Sequence, residues 1–228
     1  PVLWNEIINR NVPSSQAAMA RKKIVHGILE SSRLEKFGFE GYPPERSIYE
    51  NLIAGNDLHK EFDGEWRIQA PARGNSLFPV WQVMEEIVFK AQVSQTTVQD
   101  LFDILHAEPY GLTYGVAPIL LCVFLKIFDT ETTLYQQGVL LSEPTLANWD
   151  VLLSRPDMFS VGGFKIRGAR KKLIDRFAKG YTVQPGLMPV VRVLVRSVHN
   201  LPEHTLVTKR ISEKAQAVRE AITLASSP

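Results

Sequence analysis

Apolar residues recur along this chain at two periods, three-to-four and two. That alternation predicts a mainly α-helical fold interrupted by one or two small β-hairpins. Ser14 and Ser15 precede an Ala-rich run over 16–29, where the serines cap and the alanines favour helix. Val80, Val83, Met84 and Ile87 mark one face of a helix over 80–90. Thr97-x-x-Asp100 opens the next, with Leu101, Ile104 and Leu105 inside and Pro109-Tyr110-Gly111 ending it. Residues from about 115 to 128 are apolar nearly all round, which predicts a central helix. Further helices are predicted over 145–154 and 168–179. Leu187, Val190, Val191, Leu194 and Val198 then form an amphipathic stripe with Arg192 and Arg196 on its other side. A last helix over 212–224 is expected to bury Ala215, Val218 and Ile222.

Two hairpins separate these helices. Asp63-Gly64, within Leu58–Ile68, is a strong two-residue turn signal, and Gly138 marks a turn within Thr132–Leu141. Ser47-x-x-Glu50 has the form of a capping box, with Gly55 and Asn56 as the stop. The loop over 71–75 suggests three parts: a helical and hairpin lobe over 1–75, a helical core with a hairpin over 76–160, and basic helices over 161–228. Helix, helix, helix, hairpin is the order of a winged-helix unit, and the first part echoes it, so two winged-helix-like lobes are a further expectation. The helix in the recognition position, with Ile119–Leu125 at its centre, is too apolar to lie in a solvated major groove.

Composition adds little, since 45% hydrophobic and 22% charged residues are ordinary globular values. The single cysteine, Cys122, sits in an apolar run and is expected to be buried; alone it allows neither a disulfide nor a multi-cysteine metal site. That run is about ten residues long, short of the roughly 20 that span a bilayer, and no charged segment followed by an apolar one opens the chain. A cytoplasmic protein without a membrane partner is expected. The first residue is Pro1, not Met, which suggests a region of a longer polypeptide.

Charge changes the picture more. Residues 161–228 hold 13 of the 26 Lys and Arg but 4 of the 24 Asp and Glu, a balance of +9, leaving −7 for residues 1–160. Such a basic end implies an anionic partner, or two lobes that attract each other. The candidate nucleic-acid-binding residues are Arg167, Arg170, Lys171, Lys172, Arg176 and Lys179, with Leu173, Ile174 and Phe177 expected to face inward; Arg192 and Arg196 extend the field. The alternative is a solvated face, or contact with the acidic part.

No other constellation amounts to a catalytic, cofactor or metal site. Gly163-Phe164-Lys165-Ile166-Arg167-Gly168 has the glycine spacing of a P-loop, but Ala169-Arg170 stands where Lys-Ser/Thr must reach phosphate and magnesium. His199 and His204 flank Asn200-Leu201-Pro202-Glu203 without a further ligand at metal-site spacing. Glu85, Glu86, Asp100 and Asp103 read as solvated helix residues. Trp4, Tyr42, Trp66 and Tyr181 are interface anchors if exposed.

Several stretches resemble an internal helical region of large bacterial P-loop ATP-binding proteins associated with restriction or phage-defence loci. They are Asn5-Glu6-Ile7-Ile8-Asn9-Arg10 with the Ala-rich helix after it, Phe39-Glu40-Gly41-Tyr42-Pro43-Pro44-Glu45, and Pro109-Tyr110-Gly111-Leu112. The others are Ala117-Pro118-Ile119-Leu120-Leu121, Leu134-Tyr135 with Gly138, and Ser212-Glu213-Lys214-Ala215-Gln216-Ala217-Val218-Arg219. Together they span most of the chain. The resemblance implies an ATPase module elsewhere in the parent protein. This chain would then be a non-catalytic interaction or regulatory region that meets other domains of the parent or a protein partner. It carries over no functional residue, because the phosphate-binding motif is absent here.

Overall fold

A computed structural model describes residues 14–90, 95–166, 168–202, 205, 208 and 211–225, the side chains of 199 and 222–225 aside. The fold is mainly α with two small antiparallel sheets. Helix α1 (Ser15–Glu30) begins where expected, with the Ser14 hydroxyl accepting from the Ala17 N–H. It leads through turns and α2 (Pro44–Ile48) to the hairpin of β1 (His59–Phe62) and β2 (Glu65–Ile68). Helix α3 (Phe78–Phe89) follows, then β3 (Thr96–Thr97), α4 (Val98–His106) and α5 (Ala117–Ile127). The hairpin of β4 (Thr132–Gln136) and β5 (Val139–Leu141), helix α6 (Leu146–Ser154) and strand β6 (Phe159–Gly163) complete the body. Helices α7 (Gly168–Tyr181), α8 (Leu187–His199) and α9 (Glu213–Ala225) form the basic end.

The capping chemistry explains most boundaries. Thr97 accepts from the Asp100 N–H, and Thr145 caps α6 in a reciprocal pair with Asn148. Pro79 and Pro118 occupy the first turns of α3 and α5, where a missing N–H costs nothing. Ser47 corrects the sequence reading: it lies inside α2, which starts at Pro44, and does not cap a helix of its own. The stop is carried by Asp57 in the left-handed region.

Both hairpin turns are as expected. Asp63 and Gly64 have φ of 51° and 83°, and Gln137 and Gly138 have 50° and 83°, the positive pair of a type I′ turn. No atom crowds the Gly64 position, so a side chain there meets strain and not a clash. Gly64→Val is expected to cost about 1–2 kcal/mol, since a β-branched residue resists the left-handed region. Thermal unfolding should show it as a fall of roughly 2–8 °C for a chain of this size.

Strand β6 was not anticipated. It lies between β3 and β4 in the order β3-β6-β4-β5, all antiparallel, pairing Thr132 with Gly163 and Thr96 with Val161. The winged-helix order of elements is therefore present, but the second hairpin is one edge of a four-stranded sheet. Its third strand arrives only after α6. The division at 75 crosses one contiguous cluster of buried residues that runs from Ala20 to Val161; the division at 160 falls inside β6, close to where that cluster ends, and buried Ala178, Met188, Val190 and Val195 lie outside it. The hydrophobic faces of α1, α3, α4 and α5 each need a cover, and burying them against one another and the sheet makes a single core.

Helix α5 is its axis, with every residue from Ala117 to Leu125 buried. Cys122 is fully buried, its thiol 4.0 Å from the Val25 carbonyl of α1, and burial pushes the thiol pKa up. A bulky thiol reagent should label the native protein no faster than the chain unfolds; rapid labelling would show that the core opens along α5.

Candidate nucleic-acid interface

The cations of α1 have partners of their own. Arg21, Lys22 and Lys23 make one basic turn of α1, and each goes to a different place. The Arg21 guanidinium donates to the carbonyls of Tyr114 and Leu153, and burial pulls its pKa down. Lys22 and His26 hold the Asp150 carboxylate at 2.6 and 2.9 Å, riveting α1 to α6. Burial pushes that carboxyl up, but hydrogen bonds from Lys22 and His26 outweigh it and leave it below its usual range. Lys23 pairs with Glu45 at 2.6 Å.

The two arginines of α8 are used in the same way. Arg192 donates to the carbonyls of Ser142 at 2.8 Å and Asp129 at 3.2 Å, and its guanidinium lies 4.0 Å from the Asp129 carboxylate. Arg196 pairs with Glu143. These side chains fasten α8 onto the acidic body, so they do not extend a free basic field.

Helix α7 is different. Arg170, Lys171, Lys172, Arg176 and Lys179 are all exposed, and among the described residues none forms an ion pair. Lys171 shares a cleft with Glu131 and Asp175, and Asp175 is the one acidic residue within α7 itself. Arg167 lies outside the described residues.

The buried face of α7 is also narrower than the sequence suggested. Ala178 is buried and Ile174 half-buried, whereas Leu173 is 54%, Phe177 43% and Tyr181 45% exposed. Leu173 and Phe177, expected inside, are thus outside. The reason is geometric. One residue turns a helix by about 100°, so the stripe Leu173-Phe177-Tyr181 is rotated away from the stripe Ile174-Ala178. Ala215 and Val218 of α9 are likewise exposed, not buried.

A groove opens at the first turn of α7. It encloses about 750 Å³, with Phe89, Phe164, Ile166 and Leu187 as its apolar walls and Lys90, Lys165 and Arg170 at its edges. The Lys165 ammonium lies 4.8 Å from the centre of the Phe89 ring. The P-loop-like spacing falls here, and its glycines have other uses. Gly163 is buried in β6, where an added Cβ would stand 2.4 Å from the Phe89 ring, and Gly168 takes φ of 63° to start α7.

The remaining candidates are dispersed. Glu85 accepts from the Trp81 indole at 2.9 Å, and Asp103 accepts from Gln99 at 2.8 Å. Tyr42 is exposed under the Arg46 guanidinium, Trp66 lies half-buried against His59, and Trp4 and His204 fall outside the described residues. No group of three His, Cys, Asp or Glu side chains gathers among the described residues. Sequence reasoning passed over His59, which is buried between the Tyr49 hydroxyl at 2.8 Å and the Ser32 carbonyl at 2.9 Å; burial lowers its pKa. With both nitrogens satisfied it is a core residue. No helix among the described residues is long and apolar enough to cross a membrane. No protein-family model matches the chain, and no significant match to it is found among curated proteins or solved structures.

Proposed function

We propose that this chain is a non-catalytic, cytoplasmic interaction module of a larger bacterial ATP-binding protein, and that α7 is its working surface, facing an anionic partner. The parentage is suggested by the resemblance of the stretches from Asn5 to Arg219. The surface is supported by one observation: cations of α1 and α8 are spent on the chain's own carbonyls and carboxylates, while those of α7 have no partner among the described residues. Concentrated unpaired charge on a helix that also exposes Leu173, Phe177 and Tyr181 favours a partner over plain solvation.

Nucleic acid is the partner this pattern favours, because a row of cations neutralises phosphates and releases counterions. Anisotropy titration of a labelled duplex at about 50 mM salt tests it. The wild type should bind with a log–log salt slope of roughly −3 to −4. The Lys172→Ala, Arg176→Ala, Lys179→Ala triple variant should flatten the slope by about 2–3. A Lys60→Ala, Arg67→Ala control, whose cations are paired with Asp57 and Glu65, should not change it. No complex at tens of micromolar protein would remove nucleic acid as the partner. An acidic protein surface would then remain, and the same triple variant should weaken association with the ATP-binding portion of the parent.

A further inference from the structure

We infer, resting on the nucleic-acid reading, that the strand α7 binds is single. Ala169, Leu173, Phe177 and Tyr181 follow one another at four-residue intervals, so they form one stripe along the helix. Ala169 also lines the groove at the start of α7, so the stripe runs out of that groove without a break and continues for roughly 18 Å. One residue back, Lys172 and Arg176 form a parallel stripe, with Lys179 beside it. Apolar platforms and cations therefore lie side by side along one exposed face. That is the division of labour that single-strand binding needs: rings for bases and cations for the backbone.

Spacing and shape favour a single strand over a duplex. Four residues of helix rise about 6 Å, so Phe177 and Tyr181 offer successive platforms about 6 Å apart. Nucleotides within a duplex strand are about 3.4 Å apart, with their faces already stacked on each other. Only a strand free to spread its bases can put one on each ring. The groove makes the same demand. Its aromatic and aliphatic walls, Phe89, Phe164, Ile166 and Leu187, accept the flat face of an unpaired base, and Lys90, Lys165 and Arg170 stand where the adjoining phosphate would lie. Glu85 and Glu86 line the next cleft beside Lys90 and Lys165, which sets one end of the track by repelling phosphate. An acidic protein helix would use the cations but has no need of evenly spaced exposed rings.

Matched titrations of a labelled 20-nucleotide single strand of mixed sequence and of its duplex decide the matter. The wild type should bind the single strand at least about tenfold tighter at equal nucleotide concentration. The Phe177→Ala, Tyr181→Ala variant should lose about tenfold or more on the single strand, the size expected of lost base stacking, with its salt slope unchanged because no charge is removed. The Lys172→Ala, Arg176→Ala, Lys179→Ala variant should lower the single-strand slope by about 2. Both aromatic side chains are exposed, so melting temperatures should stay at the wild-type value. Equal or tighter duplex binding, with no effect of the aromatic variant, would overturn single-strand recognition and leave the nucleic-acid reading standing. Absence of binding to either form would overturn both. Binding of polyglutamate but of neither nucleic acid would assign the surface to a protein partner.

Discussion

Phe124→Ala is expected to destabilise the fold by about 3–5 kcal/mol, the range for emptying a buried aromatic site. Phe124 is fully buried on α5, and its ring meets Trp81 at 5.1 Å, Phe128 at 4.8 Å and Phe89 at 6.2 Å between centroids. These partners come from α3 and from the end of α5, so the ring joins the central helix to the wall of the α7 groove. Deletion removes transfer free energy and leaves a cavity that two packed helices cannot close. Chemical denaturation should show a lower midpoint with an unchanged m-value, since the surface exposed on unfolding hardly changes. A loss under about 1 kcal/mol would mean that this aromatic cluster does not hold α3 against α5.

Gly163→Val is expected to cost about 3 kcal/mol or more, at the upper end of overpacking effects. A Cβ at this position would lie 2.4 and 2.6 Å from two atoms of the Phe89 ring and 2.9 Å from the Val88 carbonyl oxygen. The ring is held from behind by Phe124 and Phe128, and the carbonyl belongs to the last turn of α3, so neither can yield cheaply. Strand β6 must separate from α3, or the Phe89 ring must leave its cluster. The loss should appear in thermal unfolding; under the nucleic-acid reading proposed above, affinity should fall with it, because Phe89 and Lys165 border the groove together. Unchanged stability would show that the β6–α3 contact gives way freely.

The fold class was legible in the sequence because its signals are local. Ser14, Thr97 and Thr145 cap helices through hydrogen bonds spanning three residues, and Asp63-Gly64 and Gly138 bend the backbone on their own. Periodicity likewise named α5 as the central helix, since a segment apolar on every side has nowhere to go but inside. What the sequence alone could not decide is what each residue faces. Arg192 and Lys172 are both cations on amphipathic helices. Only the approach of Asp129 and Ser142, some 50 to 63 residues away in the chain, occupies the first and leaves the second without a partner. Phe159–Gly163 is too short and too glycine-rich to announce a strand, and it becomes one because β3 and β4 offer their open edges. Leu173, Ile174 and Phe177 are equally apolar, and it is the single contact line of α7 that buries one flank of the helix and exposes the other. Local chemistry thus determined which elements form, whereas the pairing of distant surfaces determined which charges and rings remain available to a partner, because burial and ion pairing depend on neighbours that lie far off along the chain.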